Sequence, residues 1–204
     1  KEITFVLPEG AKFSNGDTLD AEAVKASFER MKEISQYSGD IDAVTDIQVV
    51  DERTVKFILS EPAPYMWASL GSSFSGIVNT AVAEEVGDDE FNRNAVSNGP
   101  FMVKEWKAGS EIVLEKNPNY VTANPSVENK GVMNFDQVIV RFIPDEFTRV
   151  SELESGNVDI AYDIPTSSVK SITDNDDLQS YFYEQAGATY MMTQTDDPPL
   201  NDKN

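Results

Sequence analysis

The sequence lacks the side chains on which many enzymes and metal sites depend. Its 204 residues include no cysteine and no histidine. No Ser-His-Asp or Cys-His nucleophile can therefore be assembled, and zinc, iron–sulfur and blue-copper sites lose their preferred ligands. A run of about 18 apolar residues is also missing, so no membrane-spanning helix is predicted. The catalytic and metal chemistry that remains is carboxylate-based or uses hard cations.

Positive charge is scarce as well. The 16 lysines and arginines are outnumbered by 36 aspartates and glutamates, so the formal net charge is −20. Nucleic-acid binding requires clusters of basic residues that displace counterions, and the sequence has none. This excludes DNA, RNA and anionic membranes as partners. The acidity is typical of a solvated surface, and a trap for a cationic ligand is the alternative.

The length and the hydrophobic pattern predict a folded α/β protein. With 40% hydrophobic residues, the chain can bury one large core or two small ones. Alternation in Lys1–Leu7 predicts a first strand. Asp20 is a predicted N-cap for a helix whose apolar face comprises Val24, Phe28, Met31 and Ile34. Two hairpins are predicted, formed by Ile47–Val50 with Thr54–Leu59 and by Phe101–Trp106 with Glu111–Lys116.

One later stretch predicts a parallel pair of strands. Asp136–Ile143 and Val158–Tyr162 are predicted strands, and between them Asp145 caps a predicted helix, Glu146–Ser155. Strand, helix and strand in one compact stretch indicate a βαβ unit with a right-handed crossover. The predicted face of that helix buries Phe147, Val150 and Leu153. The fold class is therefore α/β, with mixed sheets that combine hairpins and a βαβ unit, and two further strands are predicted at Leu178–Glu184 and Thr189–Gln194.

Four separated groups of segments resemble one family in their order and residues. They are Phe5–Leu19 with Ala21–Arg30, Asn98–Phe101 with Glu105–Gly109 and Glu115–Tyr120, Ile143–Asp145 with Thr148-Arg149 and Leu153–Ile160, and Pro198–Lys203. These segments identify the chain as similar to the family 5 extracellular solute-binding proteins of ABC importers. That family includes oligopeptide-, dipeptide- and nickel-binding proteins.

The resemblance implies a fold like that of type II periplasmic binding proteins, with lobe one only. Residues 1–94 would form part of the small N-terminal subdomain, and residues 95–195 the central part of lobe one. Residues 196–204 would begin the crossing to a second lobe. Since the chain starts directly in a strand and ends in a polar, proline-containing segment, we expect it to be a piece of a larger protein.

The resemblance also implies a function. The chain would belong to the substrate-binding component of an ABC importer, which captures peptides or a related small solute between two lobes for a membrane permease. We expect no enzymatic activity, no cofactor, a monomer, and a location in the periplasm or on the cell surface as a lipoprotein. The rival hypotheses are a carboxylate-dependent hydrolase with paired acids and a stand-alone interaction domain. The acidic residues fall in caps, turns and exposed faces, which disfavours the hydrolase.

The loop Gly71–Gly76 is the first candidate for ligand binding. Loops on a rigid scaffold often carry binding residues, and small hydroxyl residues let a ligand backbone approach. The alternative is an ordinary helix-to-strand connection with Phe74 tucked into the core. The resemblance implies that the loop faces the cleft. The candidate residues in it are Ser72, Ser73, Phe74 and Ser75.

Five further candidates lie at a turn and at element ends. Asn98-Gly99 opens a strand, and simple turn chemistry is its alternative explanation. Tyr37, Tyr162 and Gln194 could supply stacking and amide hydrogen bonds, or else pack or lie in solvent. If the chain is lobe one, the Asn98-Gly99 turn, Tyr162 and Gln194 should share one cleft wall with Phe74 and its serines.

Other conspicuous residues are predicted to be structural. Five large side chains fit apolar stripes and are expected in the core: Phe28, Met31, Trp67, Trp106 and Phe147. The acidic run Asp174–Asp177 resembles a cation loop but lacks the glycine and the distal glutamate of an EF-hand. It is therefore predicted to be a solvated turn, and no metal site is expected.

Overall fold

The computed structural model describes residues 1–182 and has the predicted α/β composition. The strands are β1 (Glu2–Val6), β2 (Val44–Asp51), β3 (Thr54–Leu59), β4 (Phe101–Lys107), β5 (Glu111–Lys116) and β6 (Gln137–Arg141). The α-helices are α1 (Ala21–Ile34), α2 (Met66–Leu70), α3 (Thr80–Val86), α4 (Asp88–Phe91), α5 (Glu146–Glu154) and α6 (Val169–Thr173). Short 3₁₀ turns occupy Ser38–Ile41, Ser73–Ser75 and Thr166–Ser168.

The chain divides into two compact units, Lys1–Phe142 and Ile143–Asn204. The first unit holds both sheets and helices α1 to α4, and the second holds α5 and α6. None of the helices within residues 1–182 has the length and apolar character needed to cross a membrane. The domain limits expected at residues 94 and 195 stay predictions.

The core of the first unit lies between α1 and an antiparallel sheet with the strand order β1-β3-β2. The central strand β3 alternates in exposure, so Val55, Phe57 and Leu59 are buried on one face. Helix α1 contributes Phe28, whose ring meets that of Phe57 edge to face with centroids 5.0 Å apart. The period of two in the sequence thus produces one buried sheet face, and the predicted hairpin of β2 and β3 is confirmed.

Helix α1 begins as its sequence predicts. The Asp20 carboxylate accepts a hydrogen bond from the Ala23 backbone N–H at 2.8 Å and so caps the helix. The residues of the predicted face that it buries are Val24, Phe28 and Met31. Ile34 is 53% exposed, contrary to prediction, because the helix ends there and the backbone becomes extended at Ser35.

The second sheet of the first unit is also antiparallel, with the order β4-β5-β6. It contains the second predicted hairpin, and β6 adds to it along β5. Every residue of its three strands is exposed or half-buried. This sheet therefore forms its ladders without contributing to the buried core.

Two tryptophans predicted in the core are exposed. Trp67 is 62% exposed and Trp106 is 48% exposed. Helix α2 is only five residues long, and its buried position is taken by Met66, while Trp67 meets Phe5 edge to face at 6.1 Å. Trp106 lies on β4, whose sheet has no buried face. An apolar stripe in the sequence does not by itself supply the layer that would bury it.

The predicted βαβ unit is wrong. Strand β6 pairs antiparallel with β5, and Val158–Tyr162 forms no strand. The carbonyls of Tyr162 and Asp163 accept hydrogen bonds from the Arg149 guanidinium, so a side chain satisfies backbone groups that a parallel neighbour would have paired. Neither sheet in residues 1–182 contains a parallel pair.

Helix α5 forms as predicted but buries less than expected. Asp145 caps it by accepting the Thr148 backbone N–H at 2.7 Å. Of the predicted face, Val150 is buried, Leu153 is half-buried and Phe147 is 56% exposed. The predicted strand Leu178–Glu184 is not formed at residues 178–182. Its last two residues, and the predicted strand Thr189–Gln194, lie outside the described residues.

Candidate ligand-binding site

The structure brings together two candidate aromatic residues that are far apart in sequence. Tyr37 follows α1 at the start of a 3₁₀ turn, and Phe74 lies in the 3₁₀ turn between α2 and α3. Their rings stack almost parallel, with centroids 3.6 Å apart and an interplanar angle of 15°. We call Tyr37 and Phe74 the aromatic pair.

The aromatic pair is a surface feature with a half-buried base. Tyr37 is half-buried and packs against the core of the first unit, whereas Phe74 is 49% exposed. One face of the Phe74 ring stacks on Tyr37. Phe74 is thus not tucked into the core, and its exposed part can contact a planar or apolar group.

The serines of the loop differ in what they can offer a ligand. Ser75 is buried, and its Oγ donates to the Ser69 carbonyl at 2.8 Å, so this hydroxyl stabilises the loop. Ser72 Oγ is shielded from solvent and has no hydrogen-bond partner in the described part of the chain. Ser73 is exposed. An unpaired buried hydroxyl costs free energy, and because Ser72 Oγ is shielded, its side chain has to rotate towards solvent before it can bind a ligand.

The Asn98-Gly99 turn lies next to the segment that follows the loop Gly71–Gly76. Val78, four residues after Phe74, forms a β-bridge with Ser97. The Gly99 carbonyl accepts a hydrogen bond at 2.8 Å from Nδ2 of Asn117, which is fully buried. A Cβ built on Gly99 meets its nearest neighbours at 3.8 Å, so packing within the chain does not require glycine there.

The side-chain amides of buried Asn117 and half-buried Asn119 connect this turn to the turn around Gly16, a connection that the sequence does not predict. Asn117 Oδ1 accepts the Asn119 backbone N–H at 2.8 Å, and Asn119 Nδ2 donates to the Ser14 carbonyl at 3.1 Å. Asn79 Nδ2 donates to Asp17 Oδ2 at 2.8 Å. The Asn-Pro-Asn sequence from residue 117 signals such side-chain turns, but its distant partners have no local signal.

An apolar cavity of about 250 Å³ lies beside the loop Gly71–Gly76. Its walls include Phe5 and Phe28 from the core and Leu70, Ser75 and Ile77 from around the loop. No feature of the sequence pointed to it, because its walls come from strand, helix and loop segments that are distant along the chain.

The remaining candidates lie elsewhere in the chain. Tyr162 belongs to the second unit and is 72% exposed, and its carbonyl accepts Arg149 Nε at 3.2 Å. Gln194 lies outside the described residues. The single cleft wall expected for Phe74, Asn98, Tyr162 and Gln194 therefore stays a prediction.

Carboxyl groups with shifted pKa values lie at turns, caps and ion pairs. The backbone N–H of Arg53 lowers the pKa of Asp51, the Lys116 ammonium lowers that of Asp136, and the Thr148 hydroxyl and N–H lower that of Asp145. The general acid of a glycosidase needs a raised pKa, so these shifts run the other way. No cluster of three acidic side chains in residues 1–182 could hold a metal ion.

Comparison with known sequences identifies the family of the chain. Residues 1–204 match the family model described as "Bacterial extracellular solute-binding proteins, family 5 Middle". The chain is 35% identical over 209 residues to the "Probable D,D-dipeptide-binding periplasmic protein DdpA" of Escherichia coli K12, covering 98% of this chain and 38% of that protein. It is 31% identical to the "Periplasmic oligopeptide-binding protein OppA" of Salmonella typhimurium, covering 79% of this chain and 32% of that protein.

Comparison with solved structures gives the same fold. The structure of the periplasmic binding protein AgaA of A. tumefaciens R10, in complex with agropinic acid, superposes with a TM-score of 0.75 at 33% sequence identity. The match covers 86% of this chain and 35% of that protein. The α/β architecture is therefore that of a type II periplasmic binding protein, and the chain spans less than half the length of the relatives that it matches.

Proposed function

The chain belongs to family 5 of the bacterial extracellular solute-binding proteins, and we propose that it is part of the substrate-binding component of an ABC importer. In this proposal the protein captures a peptide or a related small solute between two lobes, without turnover, and delivers it to the permease subunits. The names of DdpA and OppA, a dipeptide-binding and an oligopeptide-binding protein, support this class of solute. Closure of two lobes on a ligand is a common form of such capture.

The observation that carries the proposal is the aromatic pair. The Phe74 ring stacks on half-buried Tyr37, and a hydrogen bond from Ser75 stabilises its loop, yet about half of Phe74 is exposed to solvent. A rigid, preformed apolar surface lowers the ordering cost of binding. An aromatic residue with this exposure contributes little to the core, so ligand contact is the role that its placement favours.

The proposed ligand-binding surface combines this pair with polar groups. Phe74 would contact an apolar or planar part of the ligand, while Ser72, Ser73 and the Asn98 side chain would bind its polar main chain. Gly99 would leave room for close approach, and Ser75 would hold the loop. Tyr162 and Gln194 complete the proposed set. We further propose a monomer that does not bind nucleic acid and that works in the periplasm or, anchored as a lipoprotein, at the cell surface.

The test is Phe74→Ala in the full-length receptor, with D-alanyl-D-alanine and a panel of tri- and tetrapeptides as ligands in calorimetry. Loss of the apolar contact should weaken binding by about 1–3 kcal/mol, with the unfolding temperature nearly unchanged. The matched control is Trp106→Ala, which removes an aromatic side chain of the same exposure, 48% against 49%. Affinity that Phe74→Ala leaves unaltered would remove the aromatic pair from the site.

A further inference from the structure

The second unit contains an arginine whose guanidinium binds four backbone carbonyls. Arg149, on α5, donates from Nη1 to Ile143 O at 2.7 Å and to Pro144 O at 3.1 Å. It also donates from Nη2 to Asp163 O at 2.9 Å and from Nε to Tyr162 O at 3.2 Å. These contacts join the segment that precedes α5 to the segment that follows it.

The second of these segments has a strained backbone. Asp163 has a φ of +54°, the only positive φ of a non-glycine residue in the described range. The left-handed region costs free energy for side chains with a Cβ, and residues keep it where the surroundings enforce it. The hydrogen bond from Arg149 to the Asp163 carbonyl is such an enforcing contact. Its neighbour Tyr162 is 72% exposed, so few packing contacts hold the Tyr162 side chain in place.

We propose that Arg149 is a positioning residue that sets the orientation of Tyr162 for ligand binding. The five N–H donors of arginine form a rigid planar fork, and here that fork binds the two peptide carbonyls that flank the Cα of Asp163, those of Tyr162 and of Asp163 itself. A lysine carries one charged nitrogen on a flexible stem and cannot reproduce the four contacts. The inference rests on the proposed function insofar as it makes Tyr162 a ligand contact, but the positioning itself is a property of this chain.

Fluorine NMR on the full-length receptor, labelled with 3-fluorotyrosine, tests the positioning without any ligand. The chain has seven tyrosines, and Tyr162→Phe identifies the signal of residue 162. In Arg149→Lys we expect this signal to shift or broaden while the Tyr37 and Tyr65 signals stay in place. The matched control is Arg53→Lys, because Arg53 also binds a backbone carbonyl through its guanidinium, that of Leu7 at 2.7 and 3.0 Å.

A pair of variants at Asp163 keeps the test decisive if Arg149→Lys fails to fold. Asp163→Gly accepts a positive φ without strain and should preserve the position of the Tyr162 signal. Asp163→Ala disfavours that φ and should broaden the signal. An unmoved Tyr162 signal in Arg149→Lys, or identical spectra for the two Asp163 variants, would overturn the positioning role.

Binding to the full-length receptor then separates this inference from the proposed function. With D-alanyl-D-alanine and the peptide panel as probes, Arg149→Lys and Tyr162→Ala should each raise the dissociation constant by about tenfold. Because Arg149 acts through Tyr162, the double variant should be no weaker than Tyr162→Ala alone. Additive losses would overturn the inference. If Phe74→Ala and Tyr162→Ala both leave binding intact while Arg149→Lys still moves the Tyr162 signal, the proposed ligand surface is wrong and the positioning stands.

Discussion

The first unit contains two antiparallel three-stranded sheets that differ both in strand order and in burial. In each, the central strand, β3 or β5, pairs with two neighbours. Three of the six residues of β3 are buried, whereas all six residues of β5 are half-buried. Alternating hydrophobicity is enough to specify strands and their pairing, but burial requires a second layer, which α1 supplies to the first sheet.

The second sheet is held by its ladders and by charge pairs at its surface. Lys107 Nζ lies 2.7 Å from Glu111 and 3.5 Å from Glu105, and Lys116 Nζ lies 2.6 Å from Asp136. Exposed pairs of this kind contribute about 0–1 kcal/mol each. The two sheets should therefore respond very differently to truncation of an apolar side chain and to acid.

The largest contrast is expected for removal of an apolar side chain from each central strand. Phe57 is 1% exposed and meets Phe5 and Phe28 edge to face, so Phe57→Ala should cost about 3–5 kcal/mol. Ile112→Ala, in half-buried β5, should cost about 1 kcal/mol. Urea unfolding followed by circular dichroism measures both. Equal costs would show that the second sheet is covered after all.

The next contrast concerns the amide network rather than either sheet. Asn117 is fully buried, and Asn117→Ala should leave the Gly99 carbonyl and the Asn119 N–H without these partners and cost about 2–3 kcal/mol. Asn94, whose Nδ2 binds Glu90 Oε1 at the surface, is the matched control, and Asn94→Ala should cost less than about 0.5 kcal/mol. A small effect at Asn117 in the same unfolding experiment would mean that water replaces both hydrogen bonds.

The smallest contrast between the two sheets is expected in the loss of stability at acidic pH. Asp51 and Asp136 have lowered pKa values in the folded protein. Each therefore contributes stability that is complete above its ordinary pKa of about 4 and is lost as the pH falls through the lower folded value. Asp51→Asn and Asp136→Asn should both flatten the decline of the unfolding midpoint below about pH 4.

Salt distinguishes these two carboxylates. The Asp136 shift comes from the Lys116 ammonium, which is exposed, so about 0.5 M NaCl should weaken it. The largest cause at Asp51 is the hydrogen bond from the Arg53 backbone N–H, and this should persist. If salt removes both contributions equally, the Asp51 shift is a long-range charge effect and not a turn contact.

The elements that the sequence predicts correctly are those with local causes. Asp20 and Asp145 cap their helices as predicted. Both hairpins follow from alternation around short turns. Side-chain hydrogen bonds three residues away and period-two burial are both encoded within a few positions.

The errors arise where a distant segment decides the outcome. Val158–Tyr162 is extended in sequence pattern, but Arg149 takes the carbonyl at its end. The burial of Phe147 depends on a neighbour that the stripe on α5 does not specify. In the candidate site, Tyr37 and Phe74 were each predicted as separate contacts, and their stacking across 37 positions has no local signal.

The place of β1 at the edge of the first sheet has a kinetic consequence. Strands β2 and β3 are joined by a short turn and can pair locally, whereas β1 pairs with β3 across roughly fifty residues, a closure that costs roughly 3 kcal/mol in chain entropy. The hairpin should therefore form first and offer β3 as a template. The guanidinium of Arg53, in the turn between β2 and β3, donates hydrogen bonds to the carbonyl of Leu7 just after β1. The turn that is expected to form first therefore also binds the end of the strand that is expected to pair last.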